Sequence, residues 1–376
     1  MIDFRYHIVS LISVFLALAV GIILGAGPLK ETIGDQLTGQ VDQLREEKES
    51  IRGELDTATT DRANLEDYVT ASSKRVAKDT LAGRRIAVVQ VGDVSDDLFD
   101  SVEQEIGYAG GTVTARVAVG DAWVAPDQAD ARQSYATSLA EYVPDDKKDL
   151  QSDKLLAAAL VTALSEKSPT NADELSSNAE LALEVLDGAN LVDLVRYTPE
   201  PVDAVIVVDA SNVVEDSESE PDFSAASALY MNIPEAAARG TEGVVVTTNK
   251  VVDTDLVSTI RENSSVLKLV ATVSGVNTPV GRLNTPLALS AAIGGKVGHF
   301  GFEASATALV PAAVVLPEPD RTVVGAPDEN AENTGNTENA GDVATTDGKK
   351  VDGKKSAKNK STKESTDSTG DVGASN

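Results

Sequence analysis

The chain opens with an uninterrupted hydrophobic stretch. Residues 8–29 read IVSLISVFLALAVGIILGAGPL without a charged side chain, and the next charge is Lys30. As a helix these 22 residues span roughly 33 Å, enough to cross the hydrocarbon core of a membrane. Because no face of the segment is polar, the pattern predicts a transmembrane anchor. A cleaved signal peptide is the alternative, since Ala17 and Ala19 have the small-x-small spacing of a cleavage site.

Residues 31–82 follow with a different pattern, in which charged residues surround apolar ones at heptad spacing. Such a repeat predicts a coiled-coil stalk, and Lys48 and Arg62 at core positions would limit the number of strands, which favours a dimer. A single amphipathic helix lying on the folded domain is the alternative. The apolar positions assigned to the dimer seam are Leu37, Leu44, Ile51, Leu55, Leu65 and Val69.

Small residues recur every four positions within the hydrophobic stretch. Ala17, Gly21 and Gly25 would lie on one face of a helix, and small residues at this spacing let two membrane helices approach closely. Gly21 and Gly25 are therefore candidate dimerisation residues. Anchor and stalk together predict a homodimer.

Short apolar runs then alternate with helix-like stretches over residues 84–317. Runs without polar alternation are typical of strands covered on both faces, as in parallel sheets. The pattern predicts an α/β domain with a mainly parallel, Rossmann-like sheet, a helical insertion within residues 120–190 and an edge strand at 310–316. The runs are 84–90, 202–208, 244–248 and 267–273, and the helical stretches are 96–109, 155–164, 173–186, 223–238 and 253–261.

Composition changes the picture at the C-terminus. Residues 318–376 are rich in Gly, Ser, Thr, Asn, Asp and Lys and contain no aromatic residue, which predicts a disordered tail. Its lysines, which cluster between 349 and 363, also allow contact with an acidic envelope polymer. The whole chain has a formal charge of −28, which argues against nucleic acid as a partner.

Four polar residues are candidates for ligand binding. Asp93, Asp209 and Asn277 each follow a predicted strand, and open α/β sheets bind ligands at the carboxyl ends of their strands. Arg282, in the turn that follows Asn277, could meet an anion. Ordinary turn chemistry is the alternative for this motif.

Candidate catalytic and metal-binding residues are scarce. The chain has no cysteine, and its two histidines, His7 and His299, lie far apart in the sequence. Copper prefers thiolate, thioether and imidazole ligands, and the methionines are only Met1 and Met231. The sequence therefore predicts no catalytic residue, no metal site and no cofactor, so we expect a protein that is not an enzyme.

Several motifs resemble one family of actinobacterial envelope proteins. The opening MIDFRYHIVSLISVFLALAVGIILGAGPL, the GRRIAVV strand, residues 97–99, NTPVGR at 277–282 and GHFGF at 298–302 are similar to the mycobacterial copper transport protein B family. The resemblance covers roughly residues 1–316. It implies copper transport or copper homeostasis in the cell envelope, with an outer-membrane channel as the family description, while a corynebacterial member is linked to septal peptidoglycan hydrolysis and cell separation.

The residue chemistry favours a scaffold over a metal-binding channel. A single anchor with a long stalk separates a domain from the membrane, so we expect a single-pass membrane protein that binds a cell-wall or division protein. Arg5 and the terminal amine give a small positive-inside bias, which would place the folded domain outside the cytoplasm.

Overall fold

Two long N-terminal helices precede an α/β domain. The structure, a computed structural model, describes residues 4–26, 28–211 and 223–322, with side chains throughout these ranges except at residues 26–35. Helix α1 is Phe4–Ala26 and helix α2 is Pro28–Val76, which has 49 residues. Helix α1 is the one described helix that is long and apolar enough to cross a membrane.

The stalk prediction needs one correction, at its C-terminal end. The helix stops at Val76, and residues 77–82 form turns that enter the domain instead of extending the stalk to residue 82. The reason is burial, because Ala77 and Leu81 are fully enclosed by the domain. The amide of Leu81 also donates to the carbonyl of Ala109 at 2.8 Å.

A seven-stranded sheet forms the centre of the domain. Its order is β3-β2-β1-β4-β5-β6-β7, and all neighbours are parallel except β2 and β3. Strands β4 and β5 are buried at every position, as their continuous apolar runs predict. The strands are β1 Arg85–Val91, β2 Thr112–Val119, β3 Val192–Tyr197, β4 Ala204–Asp209, β5 Val244–Thr248, β6 Ala271–Ser274 and β7 His299–Phe300.

Helices cover both faces of this sheet, as the α/β prediction requires. The remaining helices are α3 Asp96–Tyr108, α4 Ala129–Leu139, α5 Ser152–Ser165, α6 Ser177–Gly188, α7 Ser224–Tyr230, α8 Asn232–Gly240, α9 Leu256–Glu262 and α10 Pro279–Ile293. One core lies between the sheet and the layer that contains α5, α6 and α8. The other lies between the sheet, α3, α10 and the residues that end the stalk.

The predicted helical insertion is confirmed between β2 and β3. It comprises α4, α5 and α6, and all ten residues from Leu155 to Leu164 are buried. Helix α6 begins where the Ser176 side chain accepts from the amide of Ala179 at 3.0 Å. This capping bond satisfies one of the amides that a helix start leaves without a partner.

The strand predictions were incomplete at the two sheet edges. Strands β2 and β3 were not predicted, because β2 is buried at only three of its eight positions and β3 at only one of its six, so neither is a continuous apolar run. The edge strand predicted at 310–316 is wrong, since that segment has no strand and the sheet ends at β7. The run predicted at 267–273 forms a strand only from Ala271.

The segment just after residue 317 is attached to the domain. Arg321 pairs with both carboxylate oxygens of Asp203, which is buried at the start of β4, and donates to the carbonyl of Gly83 at 3.2 Å. Arg84, also buried, donates to the carbonyl of Pro317 at 3.1 Å. The domain therefore includes residues up to 322, and the rest of the predicted disordered tail, residues 323–376, lies outside the described residues.

Candidate functional site

The carboxyl edge of the sheet brings together two of the four predicted ligand residues. Strands β1 and β4 are neighbours, with Val91 opposite Asp209, and the strand order reverses between them. Asp93 and Asp209 therefore lie at the position where open α/β sheets bind ligands. Asn277 follows β6, two strands away from β4, so the structure places it and Arg282 at a separate location.

The loops that follow β1 and β4 are in direct backbone contact at this reversal. Gly92 has a φ of +75°, and a Cβ atom there would lie 2.6 Å from the amide nitrogen of Ser211. The amide of Ala210 donates to the carbonyl of Val91 at 2.8 Å. The polypeptide thus occupies the space between these strand ends, where a dinucleotide-binding domain would receive a phosphate.

Asp209 is a buried acid with an unusual hydrogen-bonding pattern. Asp209 is 1% exposed. Its Oδ1 atom accepts hydrogen bonds from the amide of Ser211 at 2.9 Å and from the Ser211 hydroxyl. Its Oδ2 atom has no partner among the described residues. Burial raises the pKa of Asp209 to about 6, and the nearby charge of Asp255 adds to this effect. Asp93, by contrast, is exposed.

The NTPVGR motif builds the start of α10. The Thr278 hydroxyl accepts from the amide of Gly281 at 3.2 Å, and Pro279 occupies the first helical position. Arg282 donates from Nη1 to the carbonyl of Asn277 at 2.9 Å, so its guanidinium turns back onto its own helix start. The predicted turn into a helix is confirmed, and anion binding by Arg282 stays a prediction.

Gly281 is a residue that the sequence reasoning missed. A Cβ atom at this position would clash with the carbonyl of Gly275 and lie 2.7 Å from the amide nitrogen of Val276. Helix α10 can therefore pack against the end of β6 only with glycine at position 281. Its place within NTPVGR was the available signal, although the motif alone does not reveal a close backbone approach.

The predicted dimer seam lies along an exposed face of α2. Leu37, Leu44, Ile51, Leu55 and Leu65 are between 57% and 66% exposed, and Val69 is half-buried. Leucine and isoleucine at heptad spacing are thus left without an intramolecular contact over most of the stalk. The described chain leaves this apolar face available to a partner.

The two glycines of α1 contact no other segment of the described chain. Cβ atoms added at Gly21 or Gly25 would have nothing within 4 Å among the described neighbours. Glycine lowers helix stability by about 1 kcal/mol relative to alanine, so the local structure does not favour it here. Close approach of a second membrane helix would account for both glycines.

The end of the stalk is fixed to the domain by a buried polar group. Glu105 of α3 is 5% exposed, and burial raises its pKa, while the neighbouring Ser73 hydroxyl and the charge of Arg282 act in the opposite direction. Ser73, in the last turns of α2, is fully buried as well. Stalk, α3 and α10 therefore meet around one carboxylate, which the sequence did not single out.

His299 has a structural environment. Its Nδ1 atom lies 2.9 Å from the Thr272 hydroxyl, and its Nε2 atom lies 3.1 Å from the carbonyl of Leu267. Burial and the charge of Arg261 lower its pKa. Within residues 4–26, 28–211 and 223–322, no three side chains of His, Cys, Asp or Glu are grouped to hold a metal ion.

Comparison with known proteins gives one consistent family. A sequence model for a family described as "Copper transport outer membrane protein, MctB" matches residues 1–311. Proteins named Copper transporter MctB from Mycobacterium tuberculosis and Mycobacterium bovis are each 27% identical over 322 residues, which cover 80% of this chain and 96% of theirs. The Mycobacterium leprae protein of that name is 29% identical over 138 residues, 37% of this chain and 44% of its own.

Proposed function

The chain belongs to the MctB family of copper transport outer membrane proteins, and on that premise we propose that it acts in copper transport or homeostasis as a membrane-anchored, non-catalytic scaffold. Its stalk would form a dimer that holds two α/β domains outside the cytoplasm. The domains would bind a protein of the cell envelope and would not conduct the metal themselves.

The continuity of anchor, stalk and domain carries this proposal. Helix α2 has 49 residues and would be roughly 74 Å long. It follows the membrane-crossing helix directly, and its last turns are buried in the domain around Ser73. A rigid rod fixed at one end to a domain and at the other to an anchor sets the distance between domain and membrane.

Two residues of the kinds that copper favours, His299 and Met231, are engaged in other contacts within the domain. Both ring nitrogens of His299 have protein partners, and the sulfur of Met231 lies 3.8 Å from the side-chain amide of Asn263. Copper binds best to thiolate, thioether and imidazole groups. These contacts support an indirect role in copper homeostasis, through an envelope partner.

Calorimetric titration of the full-length protein in detergent with Cu(I) tests the absence of direct metal handling. We expect no saturable heat, since His299 would have to give up two hydrogen bonds to bind a metal. Saturable binding tighter than micromolar would contradict the scaffold and support a direct metal carrier.

Removal of the stalk tests the scaffold and separates it from the septal function suggested by the corynebacterial relative. A strain whose protein lacks residues 34–76 but keeps the anchor should become copper-sensitive, because the domain would lie at the membrane surface out of reach of its partner. Chains of unseparated cells with normal copper tolerance would instead favour control of septal peptidoglycan hydrolysis. Normal behaviour in both respects would contradict the need for a stalk.

A further inference from the structure

A groove lies between α5 and α8 on the face of the domain opposite α3 and α10. Its volume is about 400 Å³, which is within the range of small-molecule pockets. The two helices run in the same direction, since Lys154 contacts Glu235 and, one to two turns further along, Val161 packs against Gly240. The groove is lined by Asp146, Lys147, Leu150, Lys154, Ala158, Asn232, Glu235, Ala236 and Arg239.

The charge of this lining is positive, in a chain whose net charge is −28. Three cations and two acids line the groove, which gives a net charge of +1. Glu235, whose side chain is 15% exposed, forms ion pairs with Lys154 at 3.2 Å and with Arg239 at 3.1 Å. One carboxylate is thus shared between two cations, which leaves an excess of positive charge at the groove.

Lys147 adds a cation without a carboxylate. Its side chain is half-buried, and no acidic group lies within 4 Å of its Nζ atom in the described parts of the chain. A Cβ atom at Gly240 would lie 3.6 Å from this Nζ, so the ammonium is held beside the last turn of α8. The helix end favours a cation there. The Lys147 ammonium has three hydrogens to donate, and its position beside the helix end does not use all of them.

The three cations come from different walls of the groove. Lys147 belongs to a short turn before α5, Lys154 to α5 and Arg239 to α8. The lining also includes the apolar side chains of Leu150, Ala158 and Ala236. A ligand with separated negative groups and a small apolar part fits this lining better than a single compact anion.

We propose that the α5–α8 groove binds a short acidic peptide segment, with carboxylates at Lys147 and Arg239 and a small apolar side chain against Ala158 and Ala236. This inference goes beyond the scaffold function and does not depend on the stalk or on copper. It gives the domain a binding surface for a partner that carries acidic and small apolar residues in alternation.

The probe is an acetylated and amidated tripeptide with two glutamates separated by one alanine, titrated into the full-length protein in detergent. We expect saturable binding in the millimolar to micromolar range. The same peptide with glutamines should not bind detectably. Equal binding of the glutamine peptide, binding of inorganic phosphate with the same affinity, or no saturable binding of the glutamate peptide would each overturn the proposal.

The variant Lys147→Gln tests whether the peptide binds at the groove. It should lower the affinity for the glutamate peptide about fivefold, as expected for the loss of one partly exposed ion pair. Lys268→Gln is the matched control, because Lys268 is exposed and lies outside the groove lining, and it should leave the affinity unchanged. Unchanged affinity in Lys147→Gln, or an equal loss in Lys268→Gln, would overturn the assignment.

Discussion

At the scale of single residues, Asp209 brings a carboxylate into the interior with only one oxygen hydrogen-bonded. Both bonds from Ser211 reach Oδ1, and Oδ2 has no partner in the described structure. Burial of a charged group without full compensation is costly, and the cost appears as the raised pKa. The acid therefore lowers the stability of the folded chain at neutral pH.

The pH dependence of stability follows from this shift. Between about pH 4 and pH 6 the folded protein holds more protons at Asp209 than the unfolded chain, whose pKa is near 3.8. The free energy of unfolding therefore falls as pH rises through this window and stays at the lower value above it. Asp209→Asn should remove this decline and raise the free energy of unfolding at pH 7 by about 1–3 kcal/mol.

Urea denaturation of the full-length protein and the variant across this pH range measures the difference. Asp93→Asn is the matched control, because it removes an acid from the exposed end of β1 and should change the free energy of unfolding by less than about 0.5 kcal/mol. Lower stability of Asp209→Asn at pH 7 would show that the charge of Oδ2 has a favourable partner, such as a bound cation.

At the scale of elements, the stalk helix has a stable attachment and an unpartnered face. The attachment is the buried group formed by Ser73, Glu105 and the residues around Leu81. The face is the row of exposed apolar residues from Leu37 to Leu65. Isolated helices gain most of their stability from packing of such a face, so a helix of this length favours a partner helix.

Cysteine crosslinking tests the dimer directly, because the chain contains no native cysteine. Leu65→Cys places a thiol at a core position of the predicted heptad, and mild oxidation in membranes should give a covalent dimer in high yield. We expect this high yield because equivalent core positions of two paired helices lie close together. The yield is read from non-reducing electrophoresis.

Thr60→Cys is the matched control for this experiment. Thr60 is exposed on α2 and lies at an outward heptad position, so its thiols would be kept apart in a coiled coil. We expect little crosslinking there. Equal yields at the two positions, or a monomer in both, would contradict the coiled coil and favour a single-helix stalk.

At the scale of the whole molecule, the two ends of the central strands have different surroundings. The stalk and the segment that contains Arg321 meet near Gly83 and Asp203, before β1 and β4 begin. The ends of β1 and β4, with Asp93 and Asp209, lie at the other edge of the sheet. The stalk therefore attaches at the amino edge, and the carboxyl edge is left at the opposite end of the strands.

The side of the membrane on which the domain lies can be tested by thiol labelling. Lys296→Cys, in an exposed turn after α10, should react with a membrane-impermeant maleimide in intact cells from which the outer permeability barrier has been removed. Arg5→Cys, at the other side of the anchor, should react only after the membrane is broken. The reverse pattern would place the domain in the cytoplasm.

Local sequence patterns determined the anchor helix, the long charged helix and the central strands. Residues 8–29 have no charge, and β4 and β5 are continuous apolar runs, so the physical requirement of burial is visible in the sequence itself. The helix start at Thr278 was predictable for a similar reason. A cap and a proline act on their immediate neighbours.

Only the tertiary structure decided which segments form the outer strands of the sheet and where the predicted ligand residues lie. Strand β3 is half exposed and pairs with β2 from more than seventy residues away, and residues 310–316 have the right composition without a strand to pair with. Asp93 and Asp209 both follow strands at the reversal of strand order, but the backbone of Ser211 lies against Gly92 between their loops. Such contacts depend on which distant segments become neighbours, and no local pattern records that choice.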